Sequence, residues 1–379
     1  MKALIIGGGI GGLTVAVALQ QQGIEAHVYE AADALRPVGA GIWVPTNALQ
    51  ALARLGLSEA VAAQGIPLAA IQLQTKEGGI LETIDLQWVQ AEFGYTTVSI
   101  HRARLQQVLA GALRPGTLHL GRRCTGIGQD PDGVSAYFDD GSDARGEMLV
   151  GADGIRSTVR AHLFPEARLR YSGQTCYRGI ARTNLPAGLH PVCREVWGGE
   201  SRFGFSATGT EEVYWFAPVS APAGQAPGKD PVPALAARYR EFPEPVPALI
   251  GATRPEDILL TDLYDLAPLA RYWQGRVVLL GDAAHAMTPN LGQGGAQAME
   301  DGVALARQLA RTSDPTLAFH RYQQQRLPRA RRLVQQSWWL GQVAHLRPRW
   351  LRYARNRLLQ WLPEDLARAR SAALYTPAL

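Results

Sequence analysis

Met1-Lys2-Ala3-Leu4-Ile5-Ile6-Gly7-Gly8-Gly9-Ile10-Gly11-Gly12-Leu13 opens the chain and decides how the rest is read. Residues 2–6 form the short apolar run of a strand buried in a parallel sheet, and the glycines end it before an apolar-rich helical segment, residues 13–22. Gly23 stops that helix, and residues 25–29 read as a second strand ending at Glu30. Parallel strands joined through a helix need a right-handed crossover, so this stretch is the nucleotide half of a Rossmann-like fold. Gly7-x-Gly9-x-x-Gly12, with Gly11 beside it, lets the backbone turn tightly, approach a diphosphate and pack helix on strand. The helix N-terminus favours the diphosphate charge. Glu30, eighteen positions beyond Gly12, is placed to accept hydrogen bonds from ribose hydroxyls. A structural glycine turn beside a surface Glu30 is the alternative for a lone match; strand, helix and acid together favour dinucleotide binding.

Further along, helical spacing spans 47–64 and 102–113, and extended patterns cover 68–75 and 80–85 around the Gly78-Gly79 turn. Residues 133–138 and 146–150 read as a hairpin leading into a buried strand. Alternation in 175–183, 202–206 and 213–219 predicts an antiparallel sheet between about 171 and 262, with a Pro/Gly-rich loop over 218–233. Residues 276–280 are again a short buried strand, followed by Gly281-Asp282 and a glycine-rich turn into a helix over roughly 294–311. The nucleotide fold therefore resumes after the sheet. The expected class is α/β: a Rossmann-like domain discontinuous over 1–73, 100–170 and 263–345, an inserted antiparallel-sheet substrate domain of 74–99 and 171–262, and a basic C-terminal helical segment, 346–379.

A chain of 379 residues calls for more than one core, and 46% apolar with 19% charged residues excludes disorder as a class. Cys124, Cys176 and Cys193 form neither a CxxC pair nor a ligand cluster, so no disulfide framework or metal site is expected. The N-terminal apolar run is too short for a signal peptide or membrane span, and a cytoplasmic location fits best. Residues 311–379 hold thirteen arginines against Asp314, Glu364 and Asp365, although the whole chain is only +5. Trp350 and Trp361 interleave with Arg347, Arg349, Arg352, Arg355 and Arg357. The bland reading is a solvated arginine face on packed helices; the pattern also leaves open a weak membrane-surface contact. No nucleic-acid-binding motif accompanies the charge.

Four ordered motifs carry a resemblance over nearly the whole chain. After the glycine-rich start come Pro37-Val38-Gly39-Ala40-Gly41-Ile42, with Pro45 and Asn47, and then Arg102-Ala103-Arg104-Leu105. Gly151-Ala152-Asp153-Gly154 with Arg156-Ser157 follows, and last Gly281-Asp282-Ala283-Ala284-His285, Pro289 and Gly292-Gln293-Gly294-Gly295 before Glu300-Asp301. The chain resembles the class A FAD-dependent monooxygenases, relatives of para-hydroxybenzoate hydroxylase. Within them it is similar to the FAD-dependent urate hydroxylases through Val28-Tyr29-Glu30-Ala31 and Gly292–Gly295. It is similar to the zeaxanthin epoxidases through Tyr171-Ser172-Gly173 and Thr175-Cys176-Tyr177.

The resemblance implies non-covalent FAD, held by Gly7, Gly9, Gly11, Gly12, Glu30, Ala31, Arg36, Gly41, Arg102, Cys124, Asp153, Asp282, Gly292, Gly294, Gly295 and Ala296. NADPH or NADH would reduce it from a transient site, since no second glycine-rich unit is present. Oxygen would then react through a flavin C4a-hydroperoxide to hydroxylate or epoxidise an aromatic or heterocyclic molecule. A reductase or dehydrogenase without oxygen insertion is the alternative on the same scaffold. Pro289 would line the oxygen pocket, while Arg202, Tyr214 and Phe216 would hold a planar substrate against the flavin. Pairing of Arg202 with a carboxylate on the sheet is its structural alternative. Cys176-Tyr177-Arg178 stands where the urate enzymes carry an Asn-rich stretch, which argues against urate itself. His285 reads as a packed histidine, and the state as monomer or homodimer.

Overall fold

Strands buried on both faces need no alternation, and the first sheet shows this. In a computed structural model, which describes residues 1–35, 40–226, 228 and 230–379, six strands lie in the order Trp273–Gln274, Val277–Leu279, Met148–Gly151, Lys2–Ile6, Glu25–Tyr29, Leu118–His119. All neighbours are parallel except the edge pair Trp273–Gln274 with Val277–Leu279. Leu4, Ile5, Leu149, Val150, Val277 and Val278 are fully buried, the continuous runs of a sheet covered on both sides. The helix Ile10–Gln21 packs on Gly294–Leu309 so closely that a Cβ on Gly302 would lie 2.9 Å from the Val15 nitrogen. This dinucleotide-type core also takes in the thirty-residue helix Pro315–Ala344 through Phe319 and Tyr322.

A seven-stranded sheet stands against it, in the order Leu259–Leu266, Leu169–Ala181, Val213–Ser220, Arg202–Ala207, Val192–Trp197, Ala70–Thr75, Ile80–Asp85. Its pairs are antiparallel except for Val192–Trp197 with Ala70–Thr75, which run parallel. Side chains alternate across it. Phe203, Phe205 and Trp215 pack on Tyr239, Val246, Leu249 and Ile250 from the helices Val232–Tyr239 and Val246–Gly251. The other face, with Arg202, Gly204, Ser206, Tyr214 and Phe216, turns to the nucleotide core. A small sheet of Gly41–Val44, Thr97–His101 and Ile66–Leu68 sits between the two large ones.

The mixed α/β class is as expected, whereas several boundaries differ. Helicity over 47–64 is broken into Thr46–Ala53 and Ser58–Ala62, because Gly56 adopts φ +71° and ends the first helix. The expected domain breaks near 73, 99, 170 and 262 all fall inside strands: Ala70–Thr75, Thr97–His101, Leu169–Ala181 and Leu259–Leu266. Alternation reveals which face of a strand is buried but not which strand it pairs with, so such cuts are poorly placed by pattern alone.

The C-terminal segment forms the helices Arg349–Gln360 and Glu364–Tyr375, which cover the sheet edge at Ile80–Asp85. Gln360 donates to the Ile80 carbonyl (3.1 Å) and Arg370 pairs with Glu82 (3.4 Å). Covering an edge strand blocks pairing with other chains. No helix among the described residues is long and apolar enough to cross a membrane.

Candidate active site

The first strand ends at Gly7, whose φ of +107° only glycine adopts readily, and a Cβ there would sit 2.4 Å from the Ala152 carbonyl oxygen. Gly12 lies against the Gly7 carbonyl and Gly11 against Leu280 and Ala298, so these two serve close packing of helix on strand. Gly9 differs: a Cβ there would meet nothing within 4 Å. Space is open at the helix N-terminus, as an approaching diphosphate requires. Glu30 points its carboxylate into the same turn, accepting from the Gly8 amide (2.6 Å) and the Ala32 amide (2.9 Å), with Ala31 between. The Cys124 thiol is buried and donates to the Gly126 carbonyl (3.4 Å); burial pushes it up to about 11, so it stays protonated. Arg36 lies outside the described residues.

Asp282 follows the strand Val277–Leu279 at the tip of the parallel sheet. Its side chain is exposed at the sheet tip and accepts no hydrogen bond from the described residues; the protein crowding it on the inner side raises its carboxyl, opposed by His285, Arg102 and Arg160. An unpartnered acid at the end of a buried strand, two strands from the glycine turn, fits a polyhydroxyl chain. Gly292 (φ +63°) then turns the backbone beside Trp43, and Gly295 lies against Ile42, so the loop rests on the strand Gly41–Val44. Gly294, Gly295 and Ala296 form the first turn of the helix Gly294–Leu309, whose free amides point out of its positive end. Asp153 is engaged otherwise: its carboxylate accepts from Ser157 Oγ (2.5 Å) and the Val159 amide (3.1 Å), capping the helix Thr158–Leu163. Arg160 donates to the Ala283 carbonyl (3.1 Å) and the Ile155 carbonyl (2.5 Å), tying this segment to the Asp282 turn.

Beyond the loop, the seven-stranded sheet turns the face that carries Tyr214 and Phe216 toward the strand Gly41–Val44. Their ring centroids lie 6.0 Å apart. Trp43 meets the Phe216 ring edge-on at 6.0 Å and donates from Nε1 to Ser206 Oγ (3.1 Å). Gly41 and Gly204 are small because Tyr214 and Phe216 lie directly over them. Arg178, in register with Phe216 on the neighbouring strand, donates to Thr261 Oγ1 (2.5 Å), and its charge lies near the Tyr214 phenol. Burial pushes that phenol up to about 12 against the pull of Arg178, so it is neutral at physiological pH. No carboxylate among the described residues pairs with Arg178.

Arg202 departs from the expected substrate-facing role. It is 2% exposed. Its nitrogens are engaged by Glu195 Oε1 (2.8 Å), His345 Nε2 (2.9 Å) and Asn290 Oδ1 (2.6 Å). A guanidinium can only donate, so His345 accepts at Nε2 and carries its proton on Nδ1, directed at Ser220 Oγ (3.0 Å). Burial, with Arg202 and Arg355 nearby, holds that imidazole down to about 2 and keeps it neutral. Asn290 stands next to Pro289 in the turn Pro289–Leu291 and donates to Thr288 Oγ1 and the Ser337 carbonyl, each at 2.9 Å. Arg202 is thus a strut from the sheet to the Pro289 loop, its charge already balanced. The carboxylate on the sheet expected as the structural alternative is Glu195, on the adjacent strand, while Asn290 and His345 come from distant segments.

Behind the loop sits a dry ionic cluster. Asp301 accepts from the Gly281 amide (2.9 Å), His285 Nε2 (2.6 Å) and Arg326 Nε (2.7 Å). Burial works against its charge, but His285 and Arg326 overcome this and hold its carboxyl well below the ordinary range. Arg326 also pairs with Glu300 (2.5 Å), which takes the Asn47 amide (2.6 Å) and the Ala378 amide (3.1 Å). His285 is buried with this one partner, the packed histidine expected.

Against known proteins, residues 1–337 match the FAD binding domain family. Aurachin C monooxygenase/isomerase of Stigmatella aurantiaca is 40% identical over 380 residues, covering 100% of this chain and 99% of that protein. The 2-heptyl-3-hydroxy-4(1H)-quinolone synthase of Pseudomonas aeruginosa is 34% identical over 383 residues, covering 99% and 98%. Among solved structures, Klebsiella pneumoniae HpxO complexed with FAD and uric acid superposes with a TM-score of 0.91 at 31% identity, covering 100% of this chain and 97% of that one.

Proposed function

Since the chain belongs to the FAD binding domain family, as a class A FAD-dependent monooxygenase of aromatic or heterocyclic molecules, we propose that it takes NAD(P)H and O2 to hydroxylate a neutral, planar 4-quinolone-type ring bearing an alkyl chain. The observation that carries this reading is the aromatic wall: three aromatic side chains, Trp43, Tyr214 and Phe216, beside an Arg202 whose charge is already matched by Glu195. Such walls favour a flat ring, and Arg178 beside them favours one that carries a carbonyl. One relative, matched over 99% of this chain, is named for a 4-quinolone carrying a heptyl group and a 3-hydroxyl.

FAD, when bound, supplies the chemistry of dioxygen activation. Glu30 and Asp282 would hold its ribose and ribityl hydroxyls, Gly9 would admit the diphosphate, and the amides at Gly294–Ala296 would face the ring's polar edge. These backbone donors need no catalytic side chain to favour negative charge on the ring. Pro289 would shape the wall where oxygen meets substrate. Arg178 would donate to a substrate carbonyl, with the neutral Tyr214 phenol beside it. Trp43 and Phe216 would clamp the ring and exclude water.

Arg178→Met is expected to raise the apparent substrate constant roughly 10- to 150-fold, the loss of one charge-assisted hydrogen bond of about 1.5–3 kcal/mol, while FAD content stays unchanged. Steady-state kinetics with a yellow, folded variant measures it. Arg202→Lys keeps the charge beside Glu195 but cannot reach both His345 and Asn290. We expect normal flavin content with less product, and more hydrogen peroxide, per NAD(P)H oxidised. An unchanged ratio would remove Arg202 from control of the Pro289 loop.

The decisive experiment compares 2-alkyl-4-quinolones with urate as stimulators of NADPH and NADH oxidation, under 18O2. The expected result is stimulation by the quinolone and one labelled atom in its product. Full-rate product formation without oxygen, or turnover of urate alone, overturns the proposal.

A further inference from the structure

The helix Arg349–Gln360 is inside out. Trp350, Tyr353 and Leu358 along the helix, with Trp361 at its C-terminal cap, point outward and are 71%, 67%, 72% and 71% exposed. Leu359 is partly covered against Leu81 and Trp197, but the side chain that the helix buries most is charged: Arg355 is 7% exposed, donates to the Val343 and Ala344 carbonyls (3.1 and 3.0 Å) and lies 4.7 Å over the Trp197 ring. A helix packed only to cover the sheet edge would place these residues the other way round. Cations frame the outward face. Arg349 is exposed, and Arg357 lies within it, its guanidinium 4.9 Å from the Trp361 ring. The helix contains four arginines and no acid.

We propose that this face seats the enzyme on an anionic phospholipid surface. Indole and phenol rings combine an apolar body with a polar edge and settle at the headgroup boundary, where arginines meet lipid phosphates. A helix lying in the interface plane uses this division of aromatic anchors and cations. Charge complementarity selects the lipid over a second copy of the chain, because two such faces apposed would bring Arg349 and Arg357 against like charges. The tail's excess of arginine extends the same attraction beyond the helix. The seat is independent of the substrate proposed above, since none of its residues belongs to the aromatic wall.

The test uses the full-length flavoenzyme and vesicle flotation. Vesicles of phosphatidylcholine with 30% phosphatidylglycerol, a composition chosen at about the anionic content that exerts a useful surface potential, should carry the protein upward; pure phosphatidylcholine should carry at least about tenfold less, and about 0.5 M salt should release it. Trp350→Ser with Trp361→Ser should reduce the bound fraction at least about tenfold while flavin content and solution turnover remain unchanged. Brominated acyl chains should quench tryptophan fluorescence in the parent and far less in the variant. Absence of binding to anionic vesicles overturns the proposal, as does equal binding by the double variant. Concentration-dependent dimerisation lost in the same variant, without vesicle binding, would assign the face to a second copy and equally overturn it.

Discussion

Arg326→Leu is expected to destabilise the folded protein by about 3–5 kcal/mol or more, the range for removing one partner from a buried ion pair. Arg326 is fully buried and bonds Glu300, Asp301 and the Gln297 side chain at 2.5, 2.7 and 2.7 Å. Its loss leaves two carboxylates facing each other without water. Denaturant midpoints measure the effect. Adding Glu300→Gln to Arg326→Leu should recover part of it, which a simple cavity would not allow; no recovery would place the loss in packing instead. Because the carboxyl of Asp301 is held below its unfolded value, its contribution is complete above the ordinary carboxylate range near pH 4 and is lost only as pH falls through the lower, folded value. The parent should therefore lose stability in strong acid over a range where the Asp301→Asn variant changes less.

Glu30→Ala combined with Asp282→Ala should weaken FAD binding by roughly 10²- to 10⁴-fold, two charge-assisted hydrogen bonds of about 1.5–3 kcal/mol each. The two single variants should differ in character. Glu30 also holds the Gly8 and Ala32 amides, so its removal loosens the glycine turn itself. The Asp282 carboxylate has no hydrogen-bond partner to release among the described residues, which makes Asp282→Asn the cleaner measure of a cofactor contact. Titration of the apoprotein with FAD by fluorescence, with circular dichroism to verify folding, checks both. Parental affinity in the folded double variant would show that the cofactor is held elsewhere.

The nucleotide turn was legible because each of its constraints is local: Gly7 and Gly12 answer to backbone a few residues away or on the adjacent strand, and Glu30 ends the next strand. The aromatic wall was legible only in part. Tyr214 and Phe216 could be read from alternation within one strand, but Trp43 joins them from a different sheet, and its contact with Ser206 spans 163 residues. Arg202 shows the limit most clearly. Its position on a strand follows from pattern, whereas Glu195, Asn290 and His345 meet it through strand order and a distant helix end. A side chain's charge is local information; whether that charge is already matched is not. For the same reason the acid of Asp153, conspicuous in sequence, resolves into a helix cap, while Arg160 a few residues on binds the Asp282 turn.

The one parallel pairing in the seven-stranded sheet sets a timetable for the nascent chain. Ala70–Thr75 waits for Val192–Trp197, about 120 residues later in synthesis. At roughly 5–20 residues per second, that wait lasts roughly 6–24 s, far longer than a hairpin takes to form. Lys2–Ile6 can pair with Glu25–Tyr29 early, but Met148–Gly151 must arrive before its other edge is covered. Until then the emerging polypeptide carries two unfinished sheet edges at once, each a template for pairing with another chain.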